Sequence, residues 1–219
     1  MSTSIRLYSF FLSIQGESTR AGLPCAFVRL AGCPLACRYC DTREARAADG
    51  VPTAISDIVE RCLATGVRLV EVTGGEPLAQ PGALPLLARL ADAGLEVMLE
   101  TSGALPIRAV DPRVRVVMDI KTPGSGMVDR FCAENLDVLA RGQHEVKLVV
   151  ASRDDFDWAV DRVRGADLVN RCDVLISPVR PDVAYDELAA WILASGLHLR
   201  FQPQLHRLIW PASPQGEER

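Results

Sequence analysis

Long apolar runs are missing from this chain. None reaches the roughly 18 residues that a membrane-crossing helix needs, so no span is expected. Basic clusters are missing too. The 24 Lys and Arg are outnumbered by 28 Asp and Glu, and the arginines lie scattered among the acids, which argues against a nucleic-acid surface. The opening MSTSIRLYSFFLS lacks the basic flank, apolar stretch and cleavage site of a signal peptide. The chain therefore reads as cytoplasmic, and its seven cysteines, an odd number, as reduced thiols. It does not need disulfides: 219 residues with 48% hydrophobic content can bury one sizeable core, so a single domain over 1–219 is expected.

What is present is a concentration of thiols. Cys33, Cys37 and Cys40 share the loop 32–42, followed at once by Asp41 and Thr42. Thiolates are soft ligands that select iron–sulfur clusters, zinc or copper(I), and a closed zinc site takes four protein ligands. The loop supplies three. Two readings follow: a structural zinc site completed by Cys25 or Asp41, or a [4Fe–4S] cube whose fourth iron is left open for chemistry.

Along the chain, strand and helix patterns alternate. Strands are expected over 5–11, 26–31, 67–73, 96–100, 115–120, 145–150, 173–176 and 198–202, and helices over 52–66, 84–93, 129–141, 153–164 and 185–194. Thr53 or Ser56 would cap the first helix and Gly66 would end it; Ser13 to Ser18 reads as a polar loop. Near-continuous Val, Leu and Ile strands separated by helices predict a parallel sheet with helices outside. Six or seven βα steps fall short of a closed barrel of about 250 residues, so the fold class is α/β, a partial β/α barrel. Cys33, Glu76, Thr101, Lys121, Ser177 and Gln202 then sit at the C-terminal ends of strands, where such folds carry their chemistry. Arg29 interrupts an apolar strand and so either pairs with a carboxylate or grips an anionic ligand. Cys25, Cys62, Cys132 and Cys172 read as apolar fillers, His144 and His198 as structural, and Trp158 and Trp191 as helix packing.

The C-x3-C-x2-C spacing with Tyr39 before its last cysteine resembles the radical S-adenosylmethionine (SAM) superfamily. Together with Ser13-Ile14-Gln15-Gly16-Glu17, Phe27-Val28-Arg29-Leu30-Ala31-Gly32, Thr73-Gly74-Gly75-Glu76-Pro77, Glu100-Thr101-Ser102-Gly103 and Gln204-Leu205-His206-Arg207-Leu208-Ile209-Trp210, it makes the whole chain resemble the 7-carboxy-7-deazaguanine synthase family. The resemblance implies a homodimer with a truncated radical SAM fold. It implies conversion of 6-carboxy-5,6,7,8-tetrahydropterin to 7-carboxy-7-deazaguanine, with loss of ammonia, on the route to queuosine and other 7-deazapurines. It also implies a [4Fe–4S] cluster, SAM, Mg²⁺ and an electron donor such as flavodoxin or ferredoxin.

Carried over residue by residue, Cys33, Cys37 and Cys40 would hold the cluster. Tyr39, Cys40 and Asp41 would lie beside SAM, with Tyr39 near the adenine. Gly75 and Glu76 would meet the SAM ammonium, and Lys147 with Ser102, Gly103, Lys121 or Ser177 its ribose and carboxylate. Arg29 would bind the substrate carboxylate, and Ile14, Gln15, Gly16, Glu17, Thr101 and His206 the pterin ring. Thr42 would offer Mg²⁺ its hydroxyl, and a tail from about 203 to 219 would cap the substrate. The chain departs from the family pattern in its ending after Trp210 and in the short loop from Arg43 to Pro52. Two rival readings stay open: a radical SAM activase that makes a glycyl radical on a partner protein, and a non-enzymatic zinc-binding module.

Overall fold

In the computed structural model, which describes residues 4–210, every strand belongs to one nine-stranded sheet. In chain order the strands are β1 (Ser4–Ile14), β2 (Pro24–Leu30), β3 (Val51–Ala54), β4 (Leu69–Gly74), β5 (Glu96–Thr101), β6 (Arg115–Asp119), β7 (His144–Val150), β8 (Asp173–Pro178) and β9 (Arg200–Phe201). Their spatial order is β3-β1-β2-β4-β5-β6-β7-β8-β9. From β2 onward, β3 aside, neighbours are parallel. Because β3 and β9 do not pair, the sheet is an unclosed, partial barrel as expected. One feature was not expected: β1 is antiparallel to β2, and β3 to β1. β1 also runs on to Ile14, so Ser13 and Ile14 are strand and the loop begins at Gln15.

Helices α1 (Arg43–Ala47), α2 (Ile55–Ala64), α3 (Ala83–Asp92), α4 (Arg153–Gly165), α5 (Leu168–Arg171), α6 (Tyr185–Ser195) and α7 (Leu205–Ile209) follow in order. In α4 the Ser152 side chain accepts from the Asp155 N–H, acids fill the first turn, and Arg162 and Arg164 the last, a charge order that suits the helix dipole. The helix expected over 52–66 begins only at Ile55. Residues 51–54 instead pair with β1 as an edge strand, the one kind of strand that tolerates a proline such as Pro52. The helix expected over 129–141 is absent, replaced by the short 3₁₀ turns Val128–Arg130 and Ala133–Val138. Asn135 is the reason. Its buried amide accepts from the Ile107 N–H at 3.0 Å and donates to the Gly103 and Leu105 carbonyls at 3.2 and 3.0 Å, so the segment is bound to a neighbouring loop at the expense of its own helix.

Alternation along the strands sorts the two faces of the sheet. Outward residues such as Val28, Val72, Leu99, Met118, Leu148 and Ile176 pack into the main core with the helices. Inward, Cys25, Phe27, Leu69, Met98, Val117 and Leu175 make a smaller apolar floor. Further along the same strands the inward positions become Arg29, Thr73, Glu100, Asp119, Lys147 and Ser177. The barrel is apolar at one end and charged at the other. Among the described residues no helix is long and apolar enough to cross a membrane.

Candidate active site

A cavity of about 640 Å³ opens at the charged end. Its first wall is the loop after β2, which is bolted to the end of β4: Gly75 N–H donates to Leu30 O at 3.0 Å and Glu76 N–H to Gly32 O at 2.9 Å. A side chain at Gly75 would collide with the Gly32 carbonyl, so this close approach requires glycine. From the other side the Arg38 N–H reaches Ser125 O at 3.0 Å, and the Tyr39 hydroxyl donates to Val149 O at 3.1 Å. Burial pushes the Tyr39 phenol up to about 12.

Cys33, Cys37 and Cys40 are half-buried and all line the cavity. Burial raises the Cys33 and Cys37 thiols, and the Lys121 ammonium opposes that rise at both. Among the described residues, no three His, Cys, Asp or Glu side chains gather round a point that could hold one metal ion. Three thiols of one loop lining one cavity suit a cluster, in which each thiolate takes a different iron. Cys25 cannot complete a zinc site here, because it lies fully buried in the apolar floor. Asp41 accepts from the Thr42 hydroxyl at 2.9 Å and from Gln204 Nε2 at 3.2 Å.

The second wall is built on Glu76. Glu76 is fully buried, and its carboxylate accepts from Thr101 Oγ1 at 2.9 Å, Leu78 N at 3.0 Å, Ser102 N at 2.7 Å and the Ser102 hydroxyl. It joins the ends of β4 and β5, and the backbone of Gly74 and Gly75 lines the cavity beside it. Gly103 also lies off the cavity, packed at φ 71 against Met118 and Phe131. Gln202, likewise, is buried beside Pro203 and Gly16.

The third wall holds groups with free valence. Lys121 Nζ sits 2.6 Å from one oxygen of Asp119, while Asp119 Oδ1 and Ser177 Oγ are buried with no hydrogen-bond partner among the described residues. Both residues line the cavity. Orphaned buried oxygens beside a cavity call for a polar ligand, and the hydroxyls and ammonium of SAM fit that need.

Between these walls lies a charged network. Lys147 Nζ contacts Glu17 Oε2 at 2.7 Å and also Glu100. Lys147, expected among the SAM contacts, is therefore committed to two carboxylates. Burial alone would lower its pKa, but Glu100 and Glu17 outweigh it and hold the ammonium charged. Gln15 donates from Nε2 to Glu71 and accepts at Oε1 from the Glu17 N–H at 3.0 Å. Glu71 is held well above its ordinary 4.5, first by burial and then by the charge of Glu100. The folded protein thus keeps a proton that the unfolded chain releases as pH rises above 4.5, and stability falls with pH through that window. Glu71→Gln is expected to abolish this fall, as read by urea midpoints between about pH 5 and 8. Parallel parent and variant curves would place the proton elsewhere. Glu100, whose pKa is lowered, acts only below 4.5 and does not confuse the comparison.

The fourth wall closes the gap between the first and last strands. Leu205 N–H donates to Gly16 O at 3.0 Å, Gln204 Nε2 to Glu17 Oε1 at 2.7 Å, and Arg207 lies 3.7 Å from Asp41. A Cβ on Gly16 would stand 2.5 Å from His206 Nδ1, so the tail seats only against glycine. Burial lowers the His206 pKa, against the pull of Glu17 and Asp41. Of the expected tail, 203–210 takes this place and 211–219 lies outside the described residues. Ile14, Thr42 and Arg29 complete the lining, the Arg29 guanidinium 5.6 Å from the centre of the Phe11 ring. Glu71, Asp119 and Gln204 were missed as site residues. The signal that marked Arg29, a charge inside an apolar strand, also marks Glu71 and Asp119.

Residues 28–132 match the radical SAM superfamily. The chain is 44% identical over 214 residues to the 7-carboxy-7-deazaguanine synthase of Chlorobaculum tepidum, covering 97% of each. It is 36% identical over 228 residues to that of Koribacter versatilis, covering 97% of this chain and 100% of the relative. QueE from Escherichia coli superposes with a TM-score of 0.72 at 22% identity, covering 93% of this chain and 95% of that one, which shows a shared fold.

Proposed function

This chain belongs to the 7-carboxy-7-deazaguanine synthase family, and on that premise we propose that it is a radical SAM carbon–nitrogen lyase turning 6-carboxy-5,6,7,8-tetrahydropterin into 7-carboxy-7-deazaguanine in the cytoplasm. The observation that carries this reading is that one cavity is lined both by the three thiols of a single loop and by residues 14–17, Arg29 and His206. A zinc module has no use for that second set, and an activase of proteins no use for so enclosed a floor.

Cys33, Cys37 and Cys40 would hold the cluster, and Tyr39, Gly75, Ser102, Lys121, Asp119 and Ser177 would receive SAM. When bound, cluster and SAM supply the radical that takes a hydrogen atom from the substrate. The planar fork of Arg29 receives the substrate carboxylate bidentately, which a lysine cannot do. Thr42 lines the cavity and would offer its hydroxyl oxygen to Mg²⁺, which prefers oxygen ligands. Ile14, Gly16, Glu17, Thr101 and His206 face the pterin and orient it, and orientation of this kind supplies several kcal/mol of a barrier. A homodimer and a flavodoxin or ferredoxin as reductant are parts of the proposal that rest on the family resemblance.

The test is to reconstitute the protein anaerobically and incubate it with SAM, dithionite and the carboxypterin. The expected result is a brown protein, 5′-deoxyadenosine, and deazaguanine product by mass. SAM cleavage without deazaguanine would turn the reading toward an activase, and a colourless protein with stoichiometric zinc toward the module.

A further inference from the structure

The loop between β1 and β2 starts beneath the barrel, yet Gln15, Gly16 and Glu17 rise into the cavity. Strand β7 aims two inward side chains at it. Lys147 meets Glu17 Oε2 at 2.7 Å, and Glu145 accepts the Thr19 N–H at 2.9 Å and the Thr19 hydroxyl as well. Glu145 is fully buried, with Arg115 3.5 Å away as its counter-charge. Between Glu17 and Thr19 stands Ser18, 1% exposed, in the left-handed region at φ 68, a conformation uncommon for any residue but glycine. Its hydroxyl accepts the Arg20 N–H at 3.0 Å, and Arg20 is tied to Glu96 at 2.6 Å. Glu145 and Thr19 do not line the cavity.

The spacings match. Residues two apart on β7, separated by roughly 6.6 Å along the strand, grip residues two apart on the loop. We infer that Glu145, acting through Thr19, is a positioning residue that holds Glu17 and the Gly16 carbonyl at the wall where the substrate docks. The inference rests on the reading of this cavity as the carboxypterin site. Without the Thr19 anchor the loop keeps the Lys147–Glu17 pair but loses its second grip on β7, so that Ser18 relaxes and Glu17 shifts against Lys147 and Gln204. The three thiols lie on a separate loop with its own backbone hydrogen bonds to Glu76 and Ser125, and are expected to keep their places.

The experiment uses the reconstituted holoenzyme. Thr19→Val removes the hydroxyl at similar volume. It is expected to raise KM for the carboxypterin by roughly tenfold, the scale of one hydrogen bond to a charged group. Iron–sulfur absorption, SAM affinity and substrate-free SAM cleavage should match the parent. Thr19→Ser, which keeps the hydroxyl and the N–H, is expected to bring KM back to near the parental value. A parental KM in Thr19→Val overturns the inference, as does a parallel loss of SAM affinity or a Thr19→Ser no better than Thr19→Val. Thr19→Ala gives the same comparison should the valine variant not fold. A parent that turns over the carboxypterin while Thr19→Val keeps its KM sinks this inference alone; a parent that neither binds nor converts it sinks the functional reading too.

Discussion

Any one of Cys33→Ala, Cys37→Ala and Cys40→Ala is expected to remove both the broad iron–sulfur absorption and all SAM cleavage. The loss is complete because no spare thiol can take over: Cys25, Cys62 and Cys172 are buried in apolar surroundings, and Cys132, although half-buried, does not line the cavity. Cys25→Ala is the control. It trims one sulfur from the apolar floor, at a cost of about 1 kcal/mol, and should leave the spectrum and the 5′-deoxyadenosine yield as they were. A folded Cys25→Ala protein without its cluster would overturn the three-thiol assignment.

Lys147→Met is expected to be the most destabilising single change in the charged network, at about 3 kcal/mol. That is the lower end of what breaking a buried ion pair costs, chosen because Glu17 and Glu100 open onto the cavity. Lys147 itself is only 5% exposed, and its removal leaves two carboxylates facing each other beside Glu71. Against a total stability of about 5–15 kcal/mol this is a large fraction. Urea unfolding at neutral pH measures it, and adding Glu100→Gln to Lys147→Met should restore part of the loss by deleting one of the two stranded charges. A Lys147→Met midpoint equal to that of the parent would show that these carboxylates do not depend on the ammonium.

Which parts of this architecture were legible in the sequence follows from where the information resides. β4 to β8 are buried on both faces, so they appear as apolar runs, and the helices α3, α4 and α6 keep one apolar face apiece. The β1–β2 hairpin was not legible, because its turn is shaped by distant anchors, Glu145 and Glu96, and by no turn dipeptide of its own. The stretch 129–141 has helical spacing of apolar residues, yet Asn135 prefers the carbonyls of another loop, a tertiary partner that a local pattern cannot reveal. Glu76 follows two glycines as a ligand-binding acid would, but the direction of its side chain was decided by Thr101 and Ser102. The thiols were legible because three of them crowd one loop. Gln204 was not, since its importance lies in joining Glu17 to Asp41 across the fold.

The seam between the first loop and the last helix has a consequence for synthesis. Glu17 and Gln204, which meet at 2.7 Å, are 187 residues apart in the chain. A ribosome adding about 5–20 residues per second needs roughly ten to forty seconds to make that stretch. For most of that interval the thiols of residues 33–40 have been made and the piece that closes the cavity over them has not. Iron delivered to the nascent chain meets an unsealed trough, and iron delivered after release must pass the finished tail.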